Sequence, residues 1–160
     1  MTAAYVGIGA NLGDPRSQVQ LAFDELAGLP RTQLSACSSL YRSAPIGGGA
    51  QPDYVNAVAR IETELEPQEL LCALLQVEQR HGRERSVPNA PRTLDLDLLL
   101  HGGRQVDTPS LVLPHPRMHE RAFVLAPLLE IEPNAVIPGR GRAADLIYAC
   151  GSQRVEKLFA

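Results

Sequence analysis

The chain has 160 residues, 44% of them apolar, which is enough for one globular domain with a sizeable core; nothing suggests a second. A net charge of −3 argues against a broad nucleic-acid-binding face, no apolar run reaches the length of a membrane span, and the start Met1-Thr2-Ala3-Ala4-Tyr5 lacks the basic region and apolar stretch of a signal peptide. Cys37, Cys72 and Cys150 are odd in number, far apart and flanked by apolar residues, so they read as reduced interior thiols of a cytoplasmic protein.

In chain order, Ala4 to Gly9 reads as a strand and Gly9 to Pro15 as a turn into a helix, with Asp14 as N-cap and Pro15 at the first helical position. The helix runs to about Gly28 and buries Val19, Ala22, Phe23 and Leu26. Leu34 to Ser43 and Tyr54 to Leu65 read as strands, joined by Pro45 to Pro52, whose three glycines suit either a long hairpin connection or a lid. A second helix spans Pro67 to Gly82, with Leu70, Leu71, Leu74, Leu75 and Val77 as its apolar stripe. Glu78 turns toward that stripe and reads either as support for Arg83 and Arg85 or as a surface residue. His81 to Ala90 is a polar loop, Thr93 to His101 a strand, and Gly102-Gly103 a turn. Leu111 to Met118 is a short extended piece and a rigid corner, followed by a helix over about Glu120 to Glu130, in which Pro127 must sit early or kink the chain. Asp145 to Cys150 is a last short helix, and Val155 to Phe159 a tail able to pair with a sheet.

The strand after Arg92 carries the chemistry. Asp95 and Asp97 share one face, about 6.6 Å apart along the chain, while Leu94, Leu96 and Leu98 share the other. A half-exposed strand would show this alternation. Carboxylates interleaved with arginines within a short stretch favour a divalent cation beside phosphate oxygens. Fourteen arginines and a single lysine, Lys157, leave neither a P-loop nor a lysine on an early strand, so any phosphate site must rely on arginine, histidine and backbone amides. Gly7-Ile8-Gly9-Ala10-Asn11-Leu12-Gly13 follows a strand, but Leu12 stands where a dinucleotide fingerprint needs its third glycine, and a tight turn is the simpler reading.

Tyr5 to Gly13, Tyr41 to Asn56, Gly82-Arg83-Glu84-Arg85, Pro91 to Leu98, and Pro114-His115-Pro116-Arg117-Met118 with Arg121 and Phe123 resemble, in order and spacing, the 6-hydroxymethyl-7,8-dihydropterin pyrophosphokinases of folate biosynthesis. The resemblance implies an α+β, ferredoxin-like α/β sandwich, with a mainly antiparallel sheet and helices on both faces. It implies transfer of pyrophosphate from ATP to the pterin hydroxymethyl group with release of AMP. Length and composition give a single domain over residues 1–160, and a monomer is expected. On the family pattern Asp95 and Asp97 bind two Mg²⁺ ions; Arg83 and Arg92, with Asp97, are catalytic; and Arg83, Arg85, Arg92, His115 and Arg121 contact the triphosphate. Adenine is held by backbone groups near Leu98 and Val112. Tyr54 and Phe123 sandwich the pterin, Asn56 reads its edge, and Ser43, Ala44, Ile46 and Asp95 complete its site. Without the pattern, His115 would read as a structural histidine and Phe123 as core. Two departures stand out: the shorter Ser86 to Ala90 loop, and Ala44 in place of a proline. A non-catalytic nucleotide-binding module is the rival reading.

Overall fold

The computed structural model describes residues 1–44, 52–81 and 94–158. The expected lid, Ile46, Arg83, Arg85, Arg92 and the shortened loop lie outside the described residues.

The hydrophobic alternation closes into one antiparallel sheet. Its central strands are β1 (Thr2–Ala10) and β4 (Tyr54–Thr63). β5 (Asp95–His101) pairs with the free side of β1, while β2 (Thr32–Cys37) and β3 (Tyr41–Ser43) pair with successive parts of β4. β8 (Val155–Lys157) pairs with β3, as the tail reading anticipated. The strand expected over Leu34 to Ser43 is two strands, and Ser38 is the reason. Its N–H donates to Val58 O at 2.9 Å, and its hydroxyl accepts from Val58 N–H at 2.9 Å and donates to Ser39 O at 2.8 Å. A side chain thus replaces a backbone acceptor and the ladder breaks there.

Both helices of the first half cover one face. In α1 (Pro15–Ala27) the Asp14 carboxylate accepts from Ser17 N–H at 3.4 Å and from its hydroxyl at 2.8 Å, and Val19, Ala22, Phe23 and Leu26 are buried as expected. α2 (Pro67–Arg80) buries Leu70, Leu74 and Val77, and the Glu69 side chain accepts from Glu66 N–H at 3.0 Å, closing its first turn. These side chains pack on Val6, Ile8, Ala57, Ala59, Ile61, Leu96 and Leu98. Complete burial of one such leucine contributes about 1.5–3 kcal/mol.

The opposite face carries α3 (Ala122–Ile131), where Val124, Leu125 and Leu128 meet Val58, Leu99, Leu100 and Met118. Pro127 sits in the middle of α3 rather than early, and removes one N–H from the helical ladder. An irregularity in the β1–β5 register at Tyr5/Val6 lets both Leu99 and Leu100 reach this face. The C-terminal region adds α4 (Ala143–Leu146) and a 3₁₀ turn over Ile147–Cys150. The fold is therefore α+β with helices on both faces of an antiparallel sheet.

The expectation of three interior thiols fails in part. Cys150 is buried, but Cys37 and Cys72 are exposed, although all three are free thiols. Apolar sequence neighbours do not set a side chain's face: Cys37 ends the alternating edge strand β2, and Cys72 lies between buried Leu70 and Leu74 on the outward side of α2. Among the described residues no helix is long and apolar enough to cross a membrane.

Candidate active site

The register of the sheet assembles the site. Asp95 of β5 lies opposite Gly9 of β1, Gly9 opposite Asn56 of β4, and Asn56 opposite Tyr41 of β3. Asp97 lies opposite Gly7, which lies opposite Val58. Directly paired residues point to the same face, so both carboxylates, the two glycines and Asn56 stand on the side that carries α3. Leu94, Leu96 and Leu98 are buried, as the alternation required.

A cavity of about 210 Å³ opens there, lined by Gly7, Ile8, Gly9, Ser43, Ala44, Tyr54, Asn56, Ala57, Asp95, Asp97, His115, Arg121, Phe123 and Val124. Nine residues singled out in the sequence thus converge: Ser43, Ala44, Tyr54, Asn56, Asp95, Asp97, His115, Arg121 and Phe123. Leu98 and Val112 do not line the cavity. Leu98 is buried among the α1 and α2 side chains, and Val112 is 39% exposed on β7 (Val112–Leu113), which pairs with β6 (Val106–Asp107).

The polar groups are held in place. Ser43 hydroxyl donates to Asn56 Oδ1 at 2.5 Å in a buried pair, which leaves the Asn56 amide N–H groups on the cavity side. A Cβ added to Gly9 would lie 3.3 Å from Asn56 Nδ2 and 3.7 Å from the Tyr54 ring, so only hydrogen there leaves the floor of the slot flat. Asn11 donates to Pro52 O at 3.2 Å and ties the end of β1 to the approach to β4. On the other wall, the start of α3 is fixed by Gln153, whose side chain accepts from Ala122 N–H at 2.9 Å and donates to Glu120 O at 2.6 Å. The Arg121 guanidinium then lies 5.5 Å from the centre of the Phe123 ring.

His115 follows the cis Leu113–Pro114 bond. Its Nδ1 accepts from Arg117 N–H at 3.2 Å, which places the proton of the neutral ring on Nε2. Burial, reinforced by the Arg121 charge and opposed by Asp95, pushes its pKa down to about 4. His115 is thus a neutral N–H donor at physiological pH, and Arg121 supplies the positive charge.

The donor set fits magnesium. Among the described residues no three His, Cys, Asp or Glu side chains cluster as a complete metal cage. Mg²⁺ is commonly held by one or two carboxylates, with substrate phosphates and water filling the remaining positions. Asp95 and Asp97 could supply such a pair.

Glu78 is 1% exposed, which removes the surface alternative, and its Oε2 accepts from Leu96 N–H at 2.6 Å. Gly7, Gly9 and Gln153 were not singled out as site residues from the sequence. Small residues at period two opposite an acidic strand could have exposed the glycines. Nothing local marks Gln153.

The sequence model described as 7,8-dihydro-6-hydroxymethylpterin-pyrophosphokinase (HPPK) matches residues 5–133. A Pseudomonas aeruginosa protein named 2-amino-4-hydroxy-6-hydroxymethyldihydropteridine pyrophosphokinase is 45% identical over 96% of this chain and 95% of its own length. A Haemophilus influenzae protein of the same name is 42% identical over 99% of both chains. Among solved structures, a Plasmodium falciparum HPPK-DHPS with pteroate superposes with a TM-score of 0.73 at 11% identity, a likeness of fold. It covers 92% of this chain, which spans 42% of that longer one. The chain belongs to the 7,8-dihydro-6-hydroxymethylpterin-pyrophosphokinase family.

Proposed function

We propose that this chain transfers the pyrophosphoryl group of ATP to the hydroxymethyl oxygen of 6-hydroxymethyl-7,8-dihydropterin, releasing AMP; its relatives are named as pyrophosphokinases of that pterin. The observation that carries the reading is the single cavity in which Tyr54, Asn56 and Phe123 adjoin Asp95 and Asp97, with His115 and Arg121 alongside. A flat, polar heterocycle suits the first group, and a triphosphate with its metal suits the second.

In this reading the pterin ring lies between Tyr54 and Phe123 over the Gly9 floor, with the Asn56 amide on its edge. Its hydroxymethyl oxygen then faces Asp95 and Asp97. The oxygen attacks the β-phosphorus, the bond from that phosphorus to the α–β bridging oxygen breaks, and the electron pair leaves with AMP. The hydroxyl proton is lost as the new P–O bond forms, and in this reading Asp97 accepts it. Asp95 and Asp97 would hold Mg²⁺, two ions in our reading, which supplies charge neutralisation at the attacking and leaving oxygens. His115 Nε2–H and Arg121 donate to phosphate oxygens, and Arg83, Arg85 and Arg92 add the remaining cationic contacts. A planar guanidinium can grip two such oxygens at once.

The test is to incubate the chain with ATP, Mg²⁺ and the pterin and to separate the nucleotides. Pterin-dependent AMP is the expected product. ADP without AMP would mean transfer of the γ-phosphoryl group, and absence of turnover would make the chain a binding module. The reading includes residues 1–160 working as one cytoplasmic catalytic domain and as a monomer, which sedimentation of the purified chain checks.

A further inference from the structure

Glu78 stands near the end of α2, on the face of the sheet opposite the cavity, yet its carboxylate reaches the acid pair through the backbone. Oε2 accepts the N–H of Leu96 at 2.6 Å, and Leu96 is the residue between Asp95 and Asp97. Among the described residues β5 ends the sheet, so its outer backbone groups are not used by another strand. In an antiparallel pair successive residues turn their N–H groups alternately toward and away from the partner strand. With the N–H of Leu96 turned outward to Glu78, those of Asp95 and Asp97 turn inward to β1. The Leu96 side chain is itself buried among the α2 leucines.

We propose that Glu78 is a positioning residue for the Asp95–Asp97 pair, holding the strand from its outer edge while β1 holds it from the inner. The proposal rests on the reading of those carboxylates as Mg²⁺ ligands. A buried peptide N–H needs an acceptor, but a neutral side chain would serve that need without the desolvation penalty of a buried carboxylate. A charged acceptor gives the shorter, stiffer bond. Mg²⁺ demands near-ideal octahedral geometry, so drift of the ligand strand by a fraction of an ångström costs affinity. Glu78 has further interactions within the protein, and the proposal concerns only its hold on Leu96.

The test uses Glu78→Gln, which keeps the shape and a neutral acceptor, and Glu78→Asp, which keeps the charge but shortens the reach. Mn²⁺ affinity is read by electron paramagnetic resonance with α,β-methylene ATP and pterin bound, alongside the Mg²⁺ half-saturation of turnover and the melting temperature. Partners that orient metal ligands typically alter metal affinity or activity by about 10–100-fold. Both variants are therefore expected to stay folded and to weaken Mn²⁺ binding by about tenfold or more. Folded variants that bind Mn²⁺ within about twofold of wild type would overturn the proposal. So would failure of both to fold, because the carboxylate would then be a requirement of the fold. If wild type and Asp97→Ala bind Mn²⁺ no more tightly than the nucleotide alone, the metal-site reading itself fails, separately from the role of Glu78.

Discussion

Replacing Gly9 by alanine adds one methyl group to the floor of the proposed pterin slot. The backbone at Gly9 is ordinary strand, so alanine is conformationally allowed there. Its Cβ would stand 3.3 Å from Asn56 Nδ2, inside the comfortable separation of about 3.5–4.0 Å. Asn56 cannot easily retreat, because it is buried and held at 2.5 Å by Ser43. The amide must therefore move a few tenths of an ångström or the ring must lift from the floor. Either outcome loses about one hydrogen bond and part of a stacking contact, roughly 1–2 kcal/mol, or about five- to thirtyfold in pterin affinity. Stability should change little, since alanine gains about 0.5–1 kcal/mol over glycine inside a strand and the crowding offsets it. Calorimetric titration of pterin into the protein saturated with α,β-methylene ATP and Mg²⁺ measures the effect, with nucleotide affinity and melting temperature as internal controls. Pterin affinity within about twofold of wild type would refute the geometry, as would an equal loss for the nucleotide.

Three further outcomes follow from the same structure. Asp97→Ala should lower kcat by about a hundredfold or more while leaving the melting temperature near wild type, because it removes a half-exposed carboxylate from the cavity wall; a comparable fall in stability would make the pair structural. His115 should titrate near pH 4 in the ligand-free protein, as followed by its ring proton resonances. The unfolded chain then binds the extra proton between about pH 4 and 6.5, so the His115 contribution to stability is complete above 6.5 and is lost as the pH falls toward 4. A midpoint near 6.5 would show that the ring is not desolvated. Tyr41 donates to the Glu130 carboxylate at 2.6 Å across β3 and α3, so Tyr41→Phe should cost about 1.5–3 kcal/mol in urea unfolding. No change would mean that α3 is held by the Glu130 contacts to Ser39, just before β3, rather than by the Tyr41 bond.

Sequence alone determined whatever is governed by local period. The Asp14 cap, the buried stripe of α1 and the shared face of Asp95 and Asp97 follow from helical and strand repeats, which act over a few residues. The family motifs likewise marked nine of the side chains that meet in the cavity. Tertiary structure decided what depends on which strand lies beside which. Ser38 cuts one expected strand in two through bonds to Val58, and an outward helix face exposes Cys72 between two buried leucines. Gly9 matters because Asn56 lies opposite it, 47 residues away by the strand register. Glu78 is the clearest case. Its helical position pointed inward, but only the packing of α2 against β5 joined it to the amide between the two acids, because a hydrogen bond across 18 residues leaves no mark in local periodicity.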